Sequence, residues 1–275
     1  MSVPMITLND GTKIPQLGLG VWKMPEEETP GLIMSALNNG YRHIDTAAAY
    51  GNEAGVGRGI LESGVPRDEI FITTKLWNDR QGYDETLRAF DESMGKLGLE
   101  TLDLYLIHWP MPNRGHYVDT WKAFVKLQQE GRIRAIGVSN FLPEHLERLI
   151  DETGITPALN QVELHPRFQQ SAQRAAHAKL GIATECWSPL GQGEALSNPV
   201  LTEIASRHGK SVAQVILRWQ VQLGCITIPK SSNHDRMREN ITIFDFELSD
   251  AEMARIKDLD AADGRIGSDP ATADF

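Results

Sequence analysis

Strand-like and helix-like runs alternate along this chain eight times, and few folds accommodate that pattern. The runs QLGLG, YRHID, EIFITTK, TLDLYLIH, RIRAIGVS, PALNQVE, GIATECW and GCITIP are rich in apolar and β-branched residues. They recur at intervals of roughly 30 residues, the length of one strand-plus-helix unit. Helical stretches separate them, such as PGLIMSALNNG, whose Gly40 suits a helix end, and YDETLRAFDESMGKLG and YVDTWKAFVKLQQEG. Alternation of this kind implies a parallel sheet, and eight units in 275 residues imply a closed (β/α)8 TIM barrel. An open doubly wound α/β sheet is the rival. A short β-hairpin is expected before the first unit, with Asn9-Asp10-Gly11 at its turn. No linker interrupts the pattern, so residues 1–275 are expected to form one domain. After Asp260 the segment AADGRIGSDPATADF is small and polar, which predicts a mobile C-terminal loop.

Four polar residues stand at or just after strand ends: Asp45, Tyr50, Lys75 and His108. In a parallel barrel such positions converge on one face, where reacting groups are found. A tyrosine hydroxyl is a weak acid, with an ordinary pKa of about 10. A neighbouring ammonium favours the tyrosinate and lowers that value, and a carboxylate keeps the ammonium charged. The four residues therefore read as an acid built to protonate an oxygen. Taken singly, Asp45 equally suits a helix cap and Tyr50 an ordinary loop position.

The net charge of −10 argues against nucleic acid or an anionic membrane as the partner. No apolar run reaches the ~18 residues of a membrane span, and the N-terminus lacks a signal-peptide pattern, so a cytoplasmic protein is expected, and the lack of an evident apolar surface helix makes a monomer the expectation. Cys186 and Cys225 read as buried small hydrophobes. The histidines are scattered without metal-ligand spacing, and no G-x-S-x-G elbow is present.

The dinucleotide fingerprint G-x-G-x-x-G is also missing, since Gly18-Leu19-Gly20 and Gly55-Val56-Gly57 lack the third glycine. Two other segments suit phosphate. ITIPKSSNHDRMREN places Lys230, Ser231, Ser232 and Arg236 between a strand end and a helix start, where backbone dipole and cations favour an anion. The loop Ser188-Pro189-Leu190-Gly191-Gln192-Gly193 offers backbone amides to a pyrophosphate. Near the strand ends, Trp22, Ala49, Trp77 and Trp109 can line the mouth of an apolar pocket with a polar floor.

Three stretches, GYRHIDTAAAYGNEAGVG, RAIGVSNF and IPKSSNHDRMRENITI, carry a resemblance to the aldo-keto reductases, within which the chain most resembles bacterial 2,5-diketo-D-gluconate reductases. The resemblance implies NADPH-dependent reduction of small aldehydes, ketones or keto-sugar acids. It implies Tyr50 as general acid, Lys75 and Asp45 as its tuners, and His108 as orienter of the carbonyl. It further implies that Ser139, Asn140 and Gln161 hold the nicotinamide carboxamide, that Trp187 stacks on its ring where many members have a tyrosine, and that Gly20 and Val21 also bind the cofactor. Lys230, Ser231, Arg236, Glu239 and Asn240 would hold the adenosine 2′-phosphate and adenine, and the tail would fold over the barrel mouth. The alternatives are a mainly oxidative dehydrogenase and a cofactor-binding regulatory subunit.

Overall fold

In the computed structural model, which describes residues 3–275, eight parallel strands form one sheet in strict chain order. They are β3 (Leu19–Gly20), β4 (His43–Asp45), β5 (Phe71–Leu76), β6 (Leu102–Ile107), β7 (Ile133–Ser139), β8 (Leu159–Glu163), β9 (Ala183–Trp187) and β10 (Ile226–Thr227). Parallel bridges Leu17–Thr227 and Gly20–Lys230 join the first strand to the last and close the ring. The structure thus has the barrel and not the open sheet. Helices α1 (Thr29–Asn38), α2 (Glu53–Ser63), α3 (Tyr83–Leu97), α4 (Tyr117–Gln129), α5 (Pro143–Thr153) and α6 (Ser171–Leu180) follow successive strands. The long interval before β10 holds two helices, α7 (Pro199–His208) and α8 (Val212–Gln222), and α9 (His234–Ile241) and α10 (Asp250–Lys257) complete the outer layer. No described helix is long and apolar enough to cross a membrane.

The strand patterning explains which end can react. On β5, Phe71, Thr73 and Lys75 alternate with Ile72, Thr74 and Leu76, so successive residues face the barrel interior and the helical layer. The outward set packs with the large cluster that includes Leu102, Phe90 and Val138. Low in the interior, Phe71, Leu104, Leu106, Ala135 and Leu159 make an apolar plug. The N-terminal hairpin, β1 (Met5–Thr7) with β2 (Lys13–Pro15), caps that plug through Leu8 and Ile14. Higher up, the same inner face turns polar. Cys186 and Cys225 are buried free thiols.

Close helix packing depends on glycines in α2. A methyl group at Gly57 would collide with the Leu97 carbonyl at the end of α3, and one at Gly59 would meet Ile33 and Pro30. By contrast, Gly95 of α3 has open space around it. We therefore expect Gly95→Ala to stabilise the protein by about 0.5–1 kcal/mol through helix propensity. Gly57→Ala should destabilise it by about 1–3 kcal/mol despite the same gain in propensity. Urea titration of both variants checks the contrast.

Candidate active site

At the polar end of the barrel Lys75 is fully buried. Its ammonium donates to Asp45 Oδ1 at 2.6 Å and to the Thr46 carbonyl at 2.9 Å, and lies 3.4 Å from the Tyr50 hydroxyl. Asp45 ends β4, and Lys75 stands near the end of the adjacent β5, so strand pairing alone delivers the ion pair. Tyr50 comes from the single helical turn Ala48–Tyr50 that follows β4, and its ring meets His108 edge-on at 5.8 Å between centroids. The four residues expected to converge do so.

The electrostatics differ from the expectation in one respect. Burial disfavours the Lys75 ammonium, but the charge and hydrogen bond of Asp45 lead the contributions that outweigh it and hold the group charged. Burial lifts Asp45, against Lys75 and a hydrogen bond from Gln161. For Tyr50 burial is also the larger effect, and the hydroxyl is raised above its usual value although Lys75 pulls it down. The expected lowering of the tyrosine is therefore not what the buried geometry yields. Removing the tyrosinate from water costs more than one partly neutralised ammonium restores. Burial and Lys75 together push His108 well below its usual value, so its ring is neutral.

Asp45, Tyr50 and His108 open into a cavity of about 710 Å³, with Lys75 buried behind them. Trp22, Ala49, Trp77 and Trp109 line its wall, as expected, and Phe275 from the tail adds an aromatic ring 5.3 Å from Trp109. Gly20, Ser139, Asn140, Gln161, Trp187, Ser188, Pro189 and Gln192 line the same cavity. Lys230 lines both this cavity and a second one of about 570 Å³, which Leu190, Ser231, Ser232, Arg236, Glu239 and Asn240 also border. Val21 and Gly191 line neither. The Val21 side chain lies in the core, and Gly191 packs toward His165.

Within the cavity the amide groups are already oriented. Gln161 Nε2 donates to Asp45 Oδ2 and Glu185 Oε2, each at 2.8 Å. Asn140 donates to the His108 carbonyl and to Ser139 Oγ, while the Trp187 indole donates to Asn140 Oδ1 at 2.8 Å. Farther along, Lys230 and Arg236 make no salt bridge with any described residue. Arg236 sits in the first turn of α9, whose start is capped by Asn233 Oδ1.

The tail is not free. Glu163 of β8 accepts from the backbone amides of Ile266 at 2.6 Å and Gly267 at 2.7 Å, and pairs with His165. Burial opposes the charge on Glu163, but those hydrogen bonds keep its carboxyl below the usual range. The Ala261 amide bonds the Arg167 carbonyl, and Phe275 reaches Trp77. The mobile loop that composition suggested is thus pinned across the barrel mouth. Sequence reasoning passed over Glu163 and Glu185, because a carboxylate inside a strand run carries no mark of which face it occupies.

Residues 14–261 match the Aldo/keto reductase family. The chain belongs to that family. It is 60% identical, over 99% of its length and 98% of the relative's, to an aldo-keto reductase of Mycolicibacterium smegmatis. It is 53% identical to the glyoxal reductase of Bacillus subtilis, covering 96% of this chain and 95% of that one. Among solved structures, a mutant of Gox0644 in complex with NADPH superposes with a TM-score of 0.97 at 51% identity, with both chains covered completely.

Breaking the buried pair should destabilise this aldo-keto reductase more than removing both partners. We expect Lys75→Met to cost about 3–5 kcal/mol, and the double variant Asp45→Asn with Lys75→Met to recover much of that. Denaturant midpoints of the two variants test it, and equal losses would show that no net charge is stranded by the single change.

Proposed function

We propose that the protein reduces small aldehydes, ketones or keto-sugar acids with NADPH, and that Tyr50 supplies the proton. The observation that carries this reading is the contact of Asp45, Lys75 and Tyr50 at the floor of a cavity that runs on into a cation-bordered groove. NADPH binding is stated for the Gox0644 structure and glyoxal reduction for the Bacillus subtilis relative, and both support the assignment.

The residues fit a phosphorylated nicotinamide dinucleotide. Gln161 spends its amide nitrogen on Asp45 and Glu185, which leaves its oxygen as an acceptor for a carboxamide N–H. The Trp187 ring, held by Asn140 and backed by Gly267, offers a flat apolar surface for stacking. Lys230, Ser231 and Arg236 offer charge and directed donors to a 2′-phosphate at the start of α9. When bound, the nicotinamide supplies a hydride to the carbonyl carbon.

The chain's own groups do the rest. Tyr50 donates its proton to the carbonyl oxygen as negative charge develops there. Lys75, kept charged by Asp45, stabilises the tyrosinate that remains. His108 is neutral, so it retains one N–H with which to orient the oxygen without competing as an acid. Trp22, Trp77, Trp109 and Phe275 exclude water from the reacting carbonyl.

Purified protein should consume NADPH absorbance when given a small dicarbonyl, an outcome that a purely regulatory cofactor-binding subunit does not produce. Tyr50→Phe should lower kcat by ~10²–10⁴-fold while NADPH affinity stays within a few-fold. Because burial holds the Tyr50 proton, the rate of the chemical step at saturating NADPH should stay level through neutral pH and fall only above the ordinary tyrosine value of about 10. A break near neutrality would assign the proton to another group.

Cofactor choice is testable separately. Charge-assisted hydrogen bonds to the 2′-phosphate are each worth about 1.5–3 kcal/mol, so Arg236→Ala should raise the KM for NADPH roughly tenfold or more. NADH kinetics should hardly change. An equal loss for both cofactors would place Arg236 away from the phosphate.

A further inference from the structure

We propose that Glu185 is a positioning residue for the nicotinamide: together with Asp45 it takes both N–H groups of the Gln161 amide and so turns the Gln161 oxygen into the cavity. The inference rests on the assignment of Gln161 to the nicotinamide carboxamide made above.

The geometry leaves the amide one orientation. Gln161 on β8 is directly paired with Glu185 on β9, and its side chain reaches across the barrel interior to Asp45 on β4. Both acceptors lie at 2.8 Å from the same nitrogen, so its two N–H groups are used. Turning the amide over would set its oxygen against Asp45 Oδ2, which the Lys75 ion pair leaves with no proton to give. The remaining Gln161 oxygen has its outlet in the cavity that Gln161 lines. Asp45 is engaged by Lys75 as well, so Glu185 is the acceptor devoted to this amide.

Glu185 is fully buried, and its second oxygen has no hydrogen-bond partner among the described residues. That oxygen lies 3.7 Å from His43 Nε2, too far for a hydrogen bond. The charged or titratable groups facing it are His43 and Asp45 from β4, Lys75 from β5 and Tyr50 beyond them. His43 is pushed down to about 3 by burial and stays neutral. Burial and the charge of Asp45 lift Glu185 to about 8, so near neutrality it keeps a proton while its other oxygen accepts from Gln161. Above that value Glu185 ionises and adds negative charge behind the carboxamide. Only the oxidised nicotinamide ring is cationic, so ionised Glu185 should favour NADP⁺ over NADPH.

The test is quenching of intrinsic tryptophan fluorescence by three probes: NADPH, NADP⁺ and 2′,5′-ADP, which lacks the nicotinamide. Titrations at about pH 6.5 and about pH 9 bracket the Glu185 value. E185L should weaken NADPH and NADP⁺ by about 3- to 10-fold, the effect of one lost hydrogen bond. Its affinity for 2′,5′-ADP should stay within about twofold. E185Q keeps an acceptor oxygen and mimics the protonated acid, so it should bind all three as the native protein does at the lower pH. The native preference for NADP⁺ should rise between the two pH values, and E185Q should show no such rise. The proposal is overturned by an equal loss for 2′,5′-ADP, by native binding in E185L, by E185Q as weak as E185L, or by a pH shift that survives in E185Q. If E185L does not fold, the pH comparison with E185Q still decides. Native NADPH affinity in Q161L would instead locate the failure in the assignment of Gln161.

Discussion

A buried ammonium is the constraint around which the barrel mouth is organised. Lys75 has no access to water, and an uncompensated charge in that position costs several kcal/mol. Asp45, the Thr46 carbonyl and Tyr50 supply the compensation, and each has been placed by a different local device. Strand pairing sets Asp45 beside Lys75, the chain just past β4 presents the Thr46 carbonyl, and a single helical turn brings back Tyr50. Asp45 in turn fixes Gln161, and Gln161 engages Glu185. One cation therefore orders polar groups on three other strands. The apolar plug below contributes by keeping water from entering the barrel through its other end.

A second set of contacts links the tail to the cavity wall. The Glu163 carboxylate accepts from Ile266, Gly267 and His165, so the tail backbone is held by hydrogen bonds from main-chain amides rather than by a core of its own. Gly267 lies against the Trp187 ring so closely that a methyl group there has no room. Trp187 is tied through Asn140 to the His108 carbonyl. Tail position, the aromatic wall and the residues around His108 are mechanically continuous, which places whatever enters the cavity between two surfaces that report on one another.

Much of this was legible in the residues, for identifiable reasons. The apolar and β-branched runs of the central strands are strong, so the strand ends at Asp45, Leu76, Ile107 and Ser139 fall within a residue of where the runs predict. The terminal strands were less legible: QLGLG and GCITIP read as full strands, yet β3 and β10 pair over two residues each and the rest of the closure is by single bridges. Charges also misled where only the nearest neighbour was weighed. Lysine beside tyrosine suggested a lowered hydroxyl, whereas burial, which no local motif displays, is the larger effect. Glu163 and Glu185 were silent for a related reason, since an inward carboxylate in VEL or TECW looks like any other residue in a short run. The tail was held by backbone donors, and those are present in every sequence.

The barrel has a seam, and the seam governs when the site can exist. Leu17 and Gly20 of the first strand meet Thr227 and Lys230, and the Gln16 side chain bonds carbonyls 205 and 209 residues farther along the chain. Contacts so distant are entropically costly to form early, so ring closure belongs late in folding, and a nascent chain carries two open sheet edges until the final strand arrives. Gly20 and Lys230 stand on opposite sides of that seam and border the same cavity. A ligand lying there bridges the first strand and the last, acting as a clasp on the ring. Occupancy should then slow the opening of the barrel itself, making cofactor supply a determinant of how long each folded molecule survives.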